Sequence, residues 1–301
     1  DYNRTLGDNE EHKVNGLIGY SWEENEYSMF HAQNRNFVND DLQYNNLQSG
    51  QGLKQGDVES ERNQYRLISL FARANYSYKE RYMITATVRR DGSSKFGANN
   101  KWGTFPSASA AWGISEEAFM EDVKWIDNLS LKLSYGQQGN DNILNSDKTS
   151  NYYLWQSLYD LDWPNSNQIG GMVSSLENQV VSWEKNGNLN VGVEATFLGS
   201  RLSVNAEYYN RKTVDMLLSY PMATSTGFNG YNANVGDMRN SGFEFEIRGT
   251  AIRTDDFVWN ISWMGSTVKN KVLKLTNTAP EIIKGVYSIK EGMPINTFYM
   301  A

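Results

Sequence analysis

The chain contains no cysteine, and histidine occurs only twice in its 301 residues. No disulfide holds such a chain together, which is compatible with an oxidising compartment crossed without disulfides. With only His12 at the start of a strand pattern and His31 in a loop, a Ser-His-Asp triad or a histidine-rich metal site is poorly supplied. No apolar run approaches the ~20 residues of a transmembrane helix. The net charge of -7 and the lack of a Lys/Arg stripe argue against a nucleic-acid partner. No signal peptide precedes Asp1-Tyr2-Asn3, so the expectation is a processed chain or a piece of a longer one.

What the sequence does contain is a repeated alternation. One face of Leu67–Tyr78 reads Ile68, Leu70, Ala72, Ala74, Tyr76, Tyr78, and the other reads Ser69, Phe71, Arg73, Asn75, Ser77. Tyr82, Ile84, Ala86 and Val88 alternate with Met83, Thr85, Thr87 and Arg89. Leu189–Phe197 and Leu202–Tyr209 repeat the pattern, with Glu194 and Glu207 on the polar side. Side chains alternate across a strand, so each segment has one apolar and one hydrophilic face. A half-buried soluble sheet gives the same alternation. Two features favour lipid on the apolar side. Short turns at Lys79-Glu80, Leu198-Gly199-Ser200 and Arg253–Asp256 lie at one end of the strands, and long polar loops at the other. Aromatics gather near the short turns: Tyr76, Tyr78 and Tyr82, then Phe197 and Tyr208, then Phe257 and Trp259. That arrangement is typical of an outer-membrane β-barrel. The mean hydropathy of -0.62 is also how a barrel with a wet lumen reads.

About nine strands are expected, near 12–22, 66–78, 81–90, 104–114, 128–138, 187–197, 201–218, 242–250 and 256–267, with another beginning near Ile295–Ala301. Bacterial barrels close with an even number of strands, so residues 1–301 read as one partial barrel domain. The loops at 23–65 and 139–186 are roughly 40 and 45 residues long, a length that is uncommon without a function. Ile114–Leu129 reads as a short amphipathic turn-helix anchoring the periplasmic rim.

The stretch Arg81–Gly97, with Arg89-Arg90-Asp91-Gly92-Ser93-Ser94-Lys95-Phe96-Gly97, then Lys101–Trp112 and Ile114-Ser115-Glu116-Glu117, resembles the barrel of SusC/RagA-type TonB-dependent transporters. Gly136-Gln137-Gln138-Gly139-Asn140, Trp183-Glu184-Lys185, Tyr208–Thr213, Asn234–Gly242 and Lys290–Tyr299 extend the resemblance in order over most of the chain. It implies an all-β fold: part of an antiparallel transmembrane β-barrel, 22-stranded in the parent, with short periplasmic turns and long extracellular loops. It further implies location in the outer membrane of a Gram-negative, Bacteroidota-like envelope. The implied activity is import of oligosaccharides or peptides, with a SusD-like surface lipoprotein over the mouth and energy relayed by TonB. The family's N-terminal plug, TonB box and C-terminal closing strands have no counterpart in 1–301.

Candidate substrate-binding residues follow from these readings. Tyr152, Tyr153, Trp155, Tyr159 and Trp163 crowd one long loop, and flat aromatic faces can stack on sugar rings. Packing within the loop or against the partner lipoprotein is the alternative. Arg73, Arg89, Glu194 and Glu207 read as a polar lumen wall facing plug or substrate. Glu244 and Glu246, about 7 Å apart on one strand face, could suggest a glycosidase pair, but acidic residues on a wet wall are far commoner. No enzyme, cofactor or metal site is expected. Asp160-Leu161-Asp162-Trp163-Pro164 carries oxygen ligands without the glycine of an EF-hand loop. A carbohydrate-binding or adhesion module without a channel stays open as the alternative function.

Overall fold

The computed structural model describes residues 1–7, 11–39, 41, 43–54, 56–143, 151–165, 168–228, 230–276 and 280–299. The strands of the main sheet run in chain order. They are β1 (Tyr2–Leu6), β2 (His12–Ala32), β3 (Val58–Tyr78), β4 (Tyr82–Ser93), β5 (Trp102–Gly113) and β6 (Ile126–Asn140). A separate hairpin, β7 (Leu158–Asn165) with β8 (Gln168–Ser175), stands in the loop that follows. The sheet resumes with β9 (Glu184–Phe197) and β10 (Leu202–Val214). A second small hairpin, β11 (Leu217–Pro221) with β12 (Gly230–Asn234), precedes β13 (Asp237–Arg253), β14 (Val258–Ser266) and β15 (Lys269–Lys274). A three-stranded sheet of β16 (Glu281–Lys284), β17 (Tyr287–Lys290) and β18 (Thr297–Phe298) ends the chain.

Every neighbour in the main sheet is antiparallel, in the order β1-β2-β3-β4-β5-β6-β9-β10-β13-β14, an up-and-down meander without a crossover. β15 pairs with β13 above the segment that β14 occupies, so β14 and β15 share one partner. The break between them is set by Gly242, because a Cβ there would lie 1.9 Å from the Thr267 carbonyl oxygen. Among the described residues the sheet stays open, with β1 and β14 as its edges: it is part of a barrel wall.

The register puts the expected faces together. Tyr20, Leu70 and Arg90 line up across β2, β3 and β4, as do Leu17, Arg73 and Thr87 on the opposite face. Further round, Tyr135, Leu189 and Asn210 share the first face and Ser130, Glu194 and Asn205 the second. The first face is the outer one, and its large apolar side chains are solvent-accessible in the isolated chain, up to 86% for Ile18. Tyr76, Tyr78, Tyr82 and Trp112 mark its lower edge, while Trp22, Trp102, Tyr135 and Tyr208 mark the upper, so Tyr208 lies towards the far end of β10 from the short turn beside which the sequence placed it. From Ile68 to Tyr78 is roughly 33 Å along the strand, or roughly 23 Å of height at a 45° tilt, close to the ~25 Å apolar band of such barrels.

The structure differs from the sequence expectation in several places. The main sheet has 11 strands, not about nine. β2 and β3 each run 21 residues, so 23–32 and 58–67 project past the apolar band as a paired arm. Its outer face changes there from Trp22 and Ile68 to ion pairs, Arg66 with Glu24 at 2.9 Å and Arg62 with Glu26 at 2.8 Å. The expected strand 201–218 breaks at Asp215, whose φ of +57° turns the chain into β11. Ile114–Leu129 contains two single 3-10 turns, Ile114–Glu116 and Ala118–Met120, in place of a turn-helix. The strand expected from Ile295 is only Thr297–Phe298; residues 300–301 lie outside the described residues.

Candidate functional site

The inner face of the wall is polar and largely paired with itself. The Arg89 guanidinium donates to both Asp91 oxygens (2.7 and 2.9 Å) and to Ser69 Oγ (2.9 Å). Arg73 donates to Thr87 Oγ1 at 3.2 Å. Lys132 pairs with Glu194, and Arg248 with Glu246. Glu207 and Glu244 stand directly opposite one another across β10 and β13, and no cation pairs with either among the described residues. Like charges placed so are destabilising unless something else supplies the counter-charge.

At the upper end the loops pack into two cores. Phe96, Phe105, Ile143, Leu154, Val181 and Trp183 form one, drawn from three separate segments, and the Trp183 indole donates to the Lys101 carbonyl at 3.0 Å. Val272, Leu275, Ile282 and Ile289 form the other, with Leu218, Tyr220 and Ile295 against it.

Beside the first core lies a shelf of tyrosines. Tyr65 belongs to the inward register of the β3 arm, past the apolar band, and its ring stacks on Tyr152 at 5.8 Å and 28°. Tyr153 extends the pair, 6.3 Å from Tyr152 at 51°. The ammonium of Lys95, only 5% exposed, lies 4.5 Å from the Tyr65 ring centroid and 5.9 Å from that of Tyr152. Lys95 is also 3.8 Å from Asp141, which accepts a hydrogen bond from Ser93 Oγ at 2.7 Å. The Tyr65 hydroxyl donates to Glu23 at 2.7 Å. That bond and partial burial raise its pKa to about 12.

The expected site residues separate. Tyr152 and Tyr153 meet at the shelf. Trp155 is partly buried and leans on the Phe96–Trp183 core, and its indole N–H finds no acceptor among the described residues. Trp163 pairs through its backbone with Gly170 in the β7–β8 hairpin, and its side chain lies outside the described residues. Arg73, Arg89, Glu194 and Glu207 lie on the inner wall, on β3, β4, β9 and β10. Sequence reasoning missed Tyr65 and Lys95. Continuing the alternation of β3 past Leu67 would have placed Tyr65 inward, whereas no sequence signal marks Lys95, which sits in a Gly/Ser-rich segment.

The arm carries its own tip. Arg35 makes a bidentate pair with the buried Asp57, 2.8 Å to each oxygen, and donates to the Gly52 carbonyl at 3.1 Å. Asn34 donates to the carbonyls of Leu47 and Gly50. The guanidinium holds the Asp57 carboxyl below its ordinary pKa. Among the described residues no cluster of three or more potential metal ligands occurs.

The family model described as TonB dependent receptor-like, beta-barrel, matches residues 1–287. TonB-dependent receptor P3 of Formosa agariphila is 32% identical over 99% of this chain and 30% of its own length. TonB-dependent receptor SusC of Bacteroides thetaiotaomicron is 34% identical over 78% of this chain and 25% of its own length. The solved structure of the RagAB peptide transporter superposes on all of this chain and 32% of its own with a TM-score of 0.89, at 29% identity. The chain therefore spans about a third or less of these relatives. Its open meander, apolar outer face and polar inner face account for that likeness: the chain belongs to the TonB-dependent receptor β-barrel family, as part of the wall of a SusC/RagA-type barrel in the outer membrane.

Proposed function

We propose that this chain supplies wall and extracellular mouth to an importer that carries oligosaccharides across the outer membrane. TonB drives the parent protein in this reading, and a SusD-like surface lipoprotein closes the mouth. The observation that carries it is the Tyr65–Tyr152–Tyr153 shelf with Lys95 against it. Stacked phenols with few rotamers give a sugar ring flat contact area at low entropic cost. Trp155 packs against the neighbouring Phe96–Trp183 core, and Trp163 belongs to the same loop. On the wall, Arg89 and Glu194 are neutralised by their neighbours, leaving Arg73 and Glu207 to meet whatever fills the lumen. No catalytic step is assigned to Glu244 and Glu246, because Glu246 is tied to Arg248. A channel-free binding module loses its ground, since the apolar face it would have to bury is the lipid-facing wall of a barrel.

A peptide cargo is the second reading, favoured by the likeness to the RagAB peptide transporter. The unpaired Glu207–Glu244 couple would suit a cationic peptide group as well as a basic residue of the plug. The test is calorimetric titration of the full-length parent, with its lipoprotein partner, against neutral oligosaccharides and against short peptides. Oligosaccharide binding weakened about tenfold by Tyr152→Ala is expected, a loss of about 1.4 kcal/mol. Binding of peptides alone, indifferent to Tyr152→Ala, would overturn the sugar reading.

A further inference from the structure

The outer face between the two aromatic edges is apolar or small on strand after strand, from β2 to β14. Among the described residues it carries one charge there, Arg90. The register fixes its direction: Arg90 lies opposite Leu70 on β3 and Thr104 on β5, both outward-facing. Counted from Tyr82 at the lower edge, its Cα is roughly 26 Å along the strand, hence roughly 19 Å up a band ~25 Å tall. An arginine at that depth is tolerated when its stem lies against the wall and its head reaches the interface. The Arg90 head does so by lying on the Trp102 ring, 5.3 Å from its centroid.

Trp102 is seated for this purpose by a glycine. A Cβ at Gly92 would lie 2.9 Å from two carbons of the Trp102 six-membered ring, so the indole lies flat on the sheet only because position 92 has no side chain. No carboxylate pairs with Arg90 among the described residues. Glu24, on the same outward face above it, is taken by Arg66 at 2.9 Å. A guanidinium held flat on an aromatic at headgroup height, with its donor edge free, has the chemistry of a phosphate contact.

We propose that Arg90 on Trp102, with the Thr104 hydroxyl beside it, forms a seat for the phosphate of an outer-leaflet lipid. The ligand is a lipid because the neighbouring Ile68, Leu70 and Val88 face hydrocarbon immediately below the charge, so the headgroup and the acyl chains meet their own kinds of surface. The inference rests on the membrane wall and is independent of the cargo.

The experiment uses the full-length protein, purified in a nonionic detergent and mixed with lipid A bearing its phosphate or with the dephosphorylated molecule. Native mass spectrometry counts the lipid retained. One phosphorylated lipid on the native protein is expected, held at least about tenfold less well by Arg90→Gln. Gly92→Ala leaves Arg90 in place but displaces the Trp102 ring, and must also weaken retention. Arg62→Gln, above the band and paired with Glu26, must leave it unchanged. A heat-dependent gel shift establishes that each variant is folded. Equal retention of the dephosphorylated lipid, or undiminished retention by folded Arg90→Gln, would overturn the proposal. Full retention by Gly92→Ala would remove Trp102 from it.

Discussion

The two ends of this wall are built by different physics. At the periplasmic end the chain reverses within a few residues, and the geometry is local. Lys79 and Glu80 adopt φ of +51° and +56°, and Leu198, Gly199 and Ser200 stay between +59° and +64°, the conformation that tight hairpins of right-twisted strands require. Side chains then tie neighbouring turns together: Glu117 accepts from Tyr82 Oη (2.5 Å), Trp112 Nε1 (2.9 Å) and Arg81 Nη1 (3.0 Å). At the extracellular end the packing between segments is long-range, although the β7–β8 and β11–β12 hairpins are local. Phe96, Phe105, Ile143, Leu154, Val181 and Trp183 come from loops and strands distant in sequence and meet in one apolar core. The rim is thus secured turn by turn, whereas the mouth stands or falls as a unit.

The sharpest way to break that contrast is Trp183→Ala. Trp183 is 4% exposed, with its ring 5.1 Å from Phe96 and 5.4 Å from Phe105. Removing a buried aromatic of this size costs about 3–5 kcal/mol. The loss should be confined to the mouth. Hydrogen exchange should rise throughout the loops carrying Lys95, Tyr152 and Val181, while the strand ladders and the heat-dependent gel shift stay as they were. Exchange rising equally at the Lys79-Glu80 turn would mean that the two ends are one cooperative unit.

A second variant works on the rim and should stabilise it. Leu198 is an exposed, non-glycine residue at φ +59°. Leu198→Gly removes the strain of a left-handed conformation, about 1 kcal/mol, partly offset by the greater freedom of glycine in the unfolded chain. A raised midpoint in urea refolding into lipid checks it. A lowered midpoint would show that the Leu198 side chain contributes more through contact than it costs in strain.

The same division decides what could be read from the sequence. The rim and the strands above it were legible, because alternation such as Ile68–Tyr78 and a turn such as Leu198-Gly199-Ser200 are encoded within a few residues. The β2–β3 arm was not, although it is equally regular. Past Trp22 both faces become hydrophilic, with Glu24–Arg66 and Glu26–Arg62 outside and Glu23–Tyr65 inside, so the alternation of polarity that reveals a strand disappears. The break at Asp215 was missed because aspartate tolerates the left-handed region without announcing it. Of the candidate site, the aromatic richness of the loop was visible and the placement of its members was not. Nothing local distinguishes Tyr152, stacked on Tyr65, from Trp155, three residues on and leaning on a buried core. That distinction is made by partners on other strands.

Titration separates the two ends with the gentlest perturbation. Glu117 at the rim has its pKa lowered, first by the hydrogen bond from Tyr82, then by that from Trp112, with Arg81 adding to them. A depressed carboxyl contributes stability that is present above the unfolded value near ~4.3 and is lost as pH falls through the folded value. Tyr65 at the mouth is the reverse case. Its pKa is raised to about 12 by the bond to Glu23 and by burial, so its contribution is complete below the unfolded value near ~10 and is lost as pH rises towards 12. Acid should therefore loosen the turn around Glu117, and alkali should loosen the shelf around Tyr65. Tryptophan fluorescence cannot assign the two, since indoles lie at both ends. Limited proteolysis across the pH range can, with cuts expected near 114–125 in acid and near 151–157 in alkali. Glu117→Gln should abolish the first pH dependence and Tyr65→Phe the second, each leaving the other in place. If either substitution removed both, the separation of rim from mouth would be wrong.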